Sequence, residues 1–352
     1  TPSSITHREI KVQSGDSEIA VSVPFKFATI FWLIKVLFGV RNKMIKNCVS
    51  MLKQSSKMLG QPAVRALCSA NSNASYNFET LKLSTPAEFV VHVELNRPDR
   101  LNAFNKRMWI ELGECFSRLH EDPDCRAIVL SGGSTSKHFT AGIDLLDMMK
   151  LGAQLGEIED LARKARLFEG MIKLYQDSIS SLERCYKPVI AAVHAACVGA
   201  GVDLITAADI RYCSRDAWFQ VKEVDIGMAA DVGTLQRLPK VIGSQSLARE
   251  LCFTARKFKS DEAATCGLIG KVFETREDLI RGAVELATEL AGKSPLAVQG
   301  TKKNMVYSLD HTNQEGLDQI REMNMVNLQS EDFINAVMAS QSKGEKPVFA
   351  KL

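Results

Sequence analysis

Asp203, Glu223 and Asp231 fall in one stretch, PVIAAVHAACVGAGVDLITAADIRYCSRDAWFQVKEVDIGMAAD (188–231), that is otherwise rich in apolar and small residues. Asp203 stands among Val202, Leu204 and Ile205, and Glu223 and Asp231 flank the uncharged run 226–230. Carboxylates beside apolar residues are pushed from their aqueous pKa toward values that suit proton transfer. Gly199, Ala200 and Gly201 precede a helix-prone segment in the same stretch. A helix start leaves backbone N–H groups unpaired, and small residues let a ligand oxygen approach them. A second glycine loop, FTAGIDLLDM (139–148), also runs from a strand toward a helix. One N–H from each loop aimed at a shared oxygen makes an oxyanion hole. With acids beside it, that hole suits removal of a proton next to an ester or thioester carbonyl.

Each feature has a plainer reading. Both loops could be tight turns, and any of these acids, like Asp209 and Asp225 nearby, could be a helix cap or an ion-pair partner. Gly199-Ala200-Gly201 also opens like a dinucleotide fingerprint, with Glu223 where a ribose-binding acid would fall. Its third glycine position is Leu204, however, and Asp203 has the wrong charge to face a pyrophosphate. His92 and His194 accompany no serine elbow, and neither GxSxG nor HExxH occurs. The nine cysteines form no CxxC pair and most of them, such as Cys197, Cys213 and Cys252, read as reduced core thiols, so no disulfide framework or metal site is expected.

The elements that must position these residues follow from hydrophobic period. Residues 88–95, 126–130, 189–193, 217–221 and 272–273 read as strands. Residues 105–120 form an amphipathic helix, with Met108, Leu112, Cys115, Phe116 and Leu119 on one face. A long helix is expected over 157–185 and a shorter one over 202–208. Further helices are expected at 243–254, 260–266, 276–292, 296–308 and 313–339. Strands alternate with helices to about residue 220 and helices follow, which is an α/β core with a helical C-terminal portion.

Hydrophobic residues make up 45% of the 352 and charged residues 24%, ordinary values for a globular enzyme. The net charge of +3 is uneven. Residues 1–78 hold ten Lys/Arg against three Asp/Glu, which leaves the remainder mildly acidic, without the basic patch that a nucleic acid would need. The apolar run 27–40 is short and broken by Lys35, so no stable membrane insertion is expected. Residues 44–78 are basic, serine-containing and free of acid, as in a mitochondrial transit peptide. On one reading Met44 is the natural start and 1–43 an extension. The ending Ala350-Lys351-Leu352 is similar to a Ser-Lys-Leu peroxisomal address. The expected location is the mitochondrial matrix, the peroxisome, or both.

LNRPDRLNAF (95–104), FTAGIDLLDM, KPVIAAVHAACVGAGVDLITAADIRYCS (187–214) and FQVKEVDIGMAADVGTLQRLPKVIG (219–243) together resemble the crotonase, or enoyl-CoA hydratase/isomerase, superfamily. Within it they resemble the dienoyl-CoA isomerase branch. The resemblance covers about 76–352 and leaves 1–75 as an N-terminal extension. It implies a crotonase-like spiral of ββα units over 76–275. It also implies a helical trimerisation region over 276–352 and a homo-hexamer built as a dimer of trimers. It implies an acyl-CoA thioester substrate, with coenzyme A part of that substrate and no other cofactor. By the resemblance the N–H groups of Ile143 and Ala200 form the oxyanion hole. Ala141, Gly142, Ile143, Asp144 and Leu145 line the thioester site. The family usually has glycine where Ala200 stands. A hydratase of the family holds water with two glutamates, whereas here the first position is Asp203, one methylene shorter. Asp231 is an additional acid, typical of the isomerase branch. The resemblance then gives Glu223 a proton exchange at C2, Asp231 one at C6, and Asp203 an orienting role. A 2-enoyl-CoA hydratase, a 3-enoyl-CoA isomerase and a noncatalytic acyl-CoA-binding protein are the alternatives.

Overall fold

The computed structural model describes residues 7–14, 17–24, 76–341 and 347–352. The chain divides into two units, Thr1–Asn73 and Ala74–Leu352. In the first, β1 (His7–Ser14) and β2 (Ser17–Pro24) pair antiparallel, Ile10 opposite Val21 and Val12 opposite Ile19. The apolar run 27–40 and almost all of the transit-peptide segment 44–78 lie outside the described residues. Among those described, no helix is long and apolar enough to cross a membrane.

The second unit is built on a six-stranded sheet. Its strands are β3 (Leu81–Ala87), β4 (Val90–Leu95), β5 (Ala127–Ser131), β6 (Val189–Val193), β8 (Ile210–Ser214) and β11 (Lys271–Phe273), in the order β11-β8-β6-β5-β4-β3. Only the β3–β4 pair is antiparallel. A three-stranded sheet stands beside it, in the order β10-β9-β7, with β7 (Ala196–Val198), β9 (Trp218–Gln220) and β10 (Phe258–Lys259). β6 and β7 lead into one short helix, and β8 and β9 lead into a 3₁₀ turn at Glu223–Ile226. The first strands of these two units pair in the large sheet and the second strands in the small one, both parallel. A parallel bridge between Thr140 and Cys197 continues the small sheet one step back along the chain. The chain thus climbs as a spiral of ββα units.

Alternation along β4, β5 and β6 buries both faces of the large sheet. Val91, Val93, Ile128, Leu130, Val189, Ala191 and Val193 face the main core. Val90, Ala127, Val129, Ile190 and Ala192 face the other side. That second side is covered by one helix (Arg276–Ala291), whose Leu279, Ala283, Ala287 and Ala291 recur every fourth residue, the small side chains letting the helix lie close. The other helices are α1 (Lys106–Glu121), α2 (Leu145–Gly156), α3 (Leu161–Arg184), α4 (Ala200–Thr206), α5 (Thr234–Ile242), α6 (Gln245–Thr254) and α7 (Ser260–Thr265). The helix of 276–291 is α8, followed by α9 (Pro295–Tyr307), α10 (Asn313–Asn327) and α11 (Glu331–Gln341).

Several boundaries differ from the sequence reading. The long helix expected over 157–185 starts only at Leu161, because the Asp160 side chain accepts the Arg163 N–H as an N-cap. The helix expected over 313–339 is interrupted after Asn327, and Ser330 accepts the Phe333 N–H as the next helix begins. α5 was not expected at all, for it carries Pro239 in its interior.

The helical C-terminal portion is pinned to the core by one buried cation. Lys302 of α9 sends Nζ to Asp209 Oδ2 at 2.7 Å and to the carbonyls of Leu182 (2.8 Å) and Lys187 (3.0 Å). The tail is held as well: Arg126 donates to the carbonyls of Phe349 and Ala350, and Lys351 pairs with Asp124. A buried charge that loses its partner is costly, so Lys302→Met is expected to destabilise the fold by about 3–5 kcal/mol. Denaturant unfolding would check it, and a change below about 1 kcal/mol would show that the Asp209–Lys302 pair is not what anchors α9.

Candidate active site

Two backbone loops meet edge to edge. A Cβ added to Gly142 would lie 2.9 Å from the Val198 carbonyl and 3.8 Å from the Gly199 Cα, so no side chain fits between them. Both glycines take positive φ, +91° at Gly142 and +51° at Gly199, a region that favours glycine. Gly201 is just as constrained, since its Cβ would fall 2.4 Å from Thr140 Cγ2. Thr140 cannot readily move away: its hydroxyl donates to the Asn102 carbonyl (2.7 Å) and accepts the Gly142 N–H (3.1 Å).

The RPDRLNAF segment is the scaffold of the first loop. Asn102, fully buried, donates from Nδ2 to the carbonyls of Gly132 (2.8 Å) and Phe139 (3.0 Å) and accepts the Arg97 N–H (2.9 Å). The Ala141 N–H donates to the Leu101 carbonyl (3.0 Å), and the Phe104 N–H to the Gly142 carbonyl (2.8 Å). Among the described residues, the N–H groups immediately after the two glycines, those of Ile143 and Ala200, have no protein acceptor. These are the two donors that the family resemblance implies.

The three acids line one pocket with these loops. Ala141, Gly142, Ile143, Leu145, Gly199 and Ala200 share its wall with Asp203, Glu223 and Asp231, around a cavity of about 110 Å³. Glu223 lies beside the second loop: a Cβ on Gly199 would be 3.2 Å from Glu223 Oε1. Its position is set by the 3₁₀ turn, closed by Gly227 at φ +77° and by the Met228 N–H donating to the Glu223 carbonyl. Asp203 is wholly inaccessible. Its Oδ1 accepts the Thr234 N–H at 2.5 Å, which ties α4 to the start of α5. Asp203 Oδ2 and Glu223 Oε2 are buried without a protein partner. Asp231 is half-buried, and its backbone carbonyl accepts Gln176 Nε2 from α3 at 2.7 Å.

All three acids have raised pKa values, with burial the first cause. Asp203 goes from 3.8 to about 7, with the neighbouring Glu223 adding to the effect of burial. Glu223 is raised by burial and by Asp231, and Asp231 by burial. Asp144 behaves differently. Its carboxylate pairs with Arg97 at 3.1 Å and caps α2 through the N–H groups of Leu146 and Asp147. Burial works to raise its pKa, but Arg97 and those N–H groups hold it below the usual carboxylate value. Asp144 therefore braces the loop rather than lining the pocket. The sequence reading passed over Trp109, Tyr175, Lys222, Met228 and Val232, which also line it. Trp109 and Tyr175 come from α1 and α3, where an aromatic at helical spacing reads as core.

The fold and this site define a class. The chain belongs to the enoyl-CoA hydratase/isomerase family, which it matches over residues 86–350. It is 45% identical to the rat mitochondrial Delta(3,5)-Delta(2,4)-dienoyl-CoA isomerase over 324 residues, 89% of this chain and 98% of the relative. It is 51% identical to the human mitochondrial protein of that name, covering 79% of this chain and 84% of the relative. It is 45% identical to the peroxisomal one from Arabidopsis thaliana, covering 75% and 93%. Among solved structures, an enoyl-CoA hydratase from Bacillus anthracis superposes with a TM-score of 0.69 at 25% identity, over 77% of this chain and 99% of that one.

Raised acids carry a pH signature. Between pH 3.8 and 7 the unfolded chain ionises Asp203 while the folded one keeps its proton. Stability is therefore lost as pH rises through that window and stays lost above it. Asp203→Asn removes the penalty. Its unfolding free energy is expected to exceed wild type on the order of 2 kcal/mol at pH 8, the gap closing toward pH 4. A gap that does not change with pH would contradict a protonated buried Asp203.

Proposed function

We propose that this chain is an isomerase that converts 3,5-dienoyl-CoA to 2,4-dienoyl-CoA in the oxidation of unsaturated fatty acids. The observation that carries this reading is the set of three acids, Asp203, Glu223 and Asp231, in one pocket with the free N–H groups of Ile143 and Ala200. The names of its relatives support it.

In this reading the thioester oxygen sits between the Ile143 and Ala200 N–H groups. The Glu223 carboxylate, beside Gly199, takes a proton from C2. The electron pair spreads over the oxygen, C2, C4 and C6, and the hole stabilises the share on oxygen. Asp231, farther along the pocket-lining segment, delivers a proton to C6, and the double bonds settle at C2 and C4. One C–H bond breaks and one forms, so the oxidation state of the whole is unchanged and no redox cofactor is needed. Asp203 holds the floor of the site through Thr234. A hydratase would need two acids gripping water. Asp203, wholly buried and fastened to α5, is poorly placed for that task.

The reading extends to assembly and location. A dimer of trimers is supported by large apolar side chains exposed on the C-terminal helices, among them Leu317, Met325, Val326 and Phe333. Mitochondrial or peroxisomal residence is supported by the relatives' names.

An ultraviolet assay tests the proposal. Wild-type protein is expected to build the conjugated 2,4-dienoyl chromophore from 3,5-dienoyl-CoA and to leave 2-enoyl-CoA almost unhydrated, whereas faster hydration would overturn the assignment. Glu223→Gln and Asp231→Asn are each expected to lower kcat by about 10²–10⁴-fold, the usual worth of a positioned acid or base. Wild-type rates in both variants would remove the relay.

A further inference from the structure

Trp109 is a buried donor that the proton relay does not use. It lies in the first turn of α1, is 1% exposed, and lines the pocket that holds Asp203, Glu223 and Asp231. Its ring packs against two others. Tyr175 stacks on it with centroids 4.6 Å apart and an interplanar angle of 19°, and Phe104 packs at 4.7 Å and 52°. The indole Nε1–H is buried and has no acceptor. Leaving a buried donor unpaired costs about 1–3 kcal/mol, and a rigid stack prevents it from turning to find a partner. Asp203 Oδ2 and Glu223 Oε2, the other unpartnered buried side-chain atoms on this pocket wall among the described residues, belong to the proposed chemistry.

The extended enolate needs what this donor offers. Deprotonation at C2 places negative charge on the thioester oxygen and also on C4 and C6. The oxyanion hole reaches only the oxygen. The N–H groups of Ile143 and Ala200 leave the charge on the remote carbons without a donor. An N–H dipole facing a π system stabilises negative charge spread over it.

We infer that Trp109 is a catalytic residue whose indole N–H stabilises the remote negative charge of the extended enolate, making the pocket selective for conjugated acyl chains. The inference rests on the isomerase reading above. Replacing the N–H affects the intermediate, in which the charge exists, and leaves the uncharged ground state untouched.

The test compares wild type with Trp109→Phe, which keeps an aromatic wall, and with benzothienylalanine incorporated at position 109, which keeps the bicyclic shape and exchanges N–H for sulfur. Turnover of 3,5-dienoyl-CoA is measured together with the Kd of a saturated acyl-CoA of the same length. The expected result is a kcat about 10–100-fold lower in both proteins, below the loss for a full oxyanion-hole donor, with the saturated ligand bound within about twofold of wild type. Unchanged kcat in the benzothienylalanine protein overturns the inference. So does an equal loss of saturated-ligand affinity, which would make Trp109 a wall only. Should Trp109→Phe fail to fold, the benzothienylalanine protein alone decides. A wild-type protein that does not turn over the diene refutes the isomerase reading itself and the inference with it. Normal diene turnover in wild type and benzothienylalanine protein alike refutes the inference alone.

Discussion

The close approach of two backbones at Gly142 and Gly199 is the constraint on which the rest of the structure depends. With less than a side chain's width between the loops, the N–H groups that follow, at Ile143 and Ala200, are brought to one place. Everything around them holds that approach. Gly201 leaves room for Thr140, Thr140 ties the Asn102 carbonyl to the Gly142 N–H, and Asn102 gathers the carbonyls of Gly132 and Phe139. The spiral supplies the repeat that makes it possible. β5 and β6 are parallel neighbours in the large sheet, and Thr140 and Cys197 bridge in the small one, so each loop leaves its strands at an equivalent height.

A site of this kind is destabilising by construction. Buried carboxyl oxygens on Asp203 and Glu223 and a buried indole N–H on Trp109 all lack protein partners. Each such group opposes folding. The offset comes from elsewhere: a sheet buried on both faces, the Lys302–Asp209 anchor, and caps at Asn105, Asp144 and Asp160. Fully burying one large apolar side chain is worth roughly 1.5–3 kcal/mol, so a few core residues balance each strained polar group.

What could be read from the sequence follows from how local each signal is. The strand Val189–Val193 is an uninterrupted apolar run, and the acids and glycines of 199–231 stand out by type against small neighbours. β8 escaped notice because Ile210, Arg211 and Tyr212 are only partly buried and the strand's pairing comes from β6 and β11, distant in sequence. α5 was hidden by Pro239, which stands in the interior of the helix. Asp144 looked like part of the thioester loop, and only the contact with Arg97, far back in the chain, shows that its side chain is a brace. Trp109 shares the buried side of α1, and nothing in a helical period separates a core ring from a pocket wall.

The central claim is that two acids act at two carbons, Glu223 at C2 and Asp231 at C6, across a shared extended enolate. The most direct measurement is the reaction run in deuterium oxide, with the position of the label determined in product and in recovered substrate. Wild type should place deuterium at C6 of the 2,4-dienoyl product. Asp231→Asn should still exchange the C2 hydrogen of the 3,5-dienoyl substrate while forming little product, and Glu223→Gln should do neither. Exchange at C2 that survives in Glu223→Gln, or product formation at the wild-type rate in Asp231→Asn, would contradict the account.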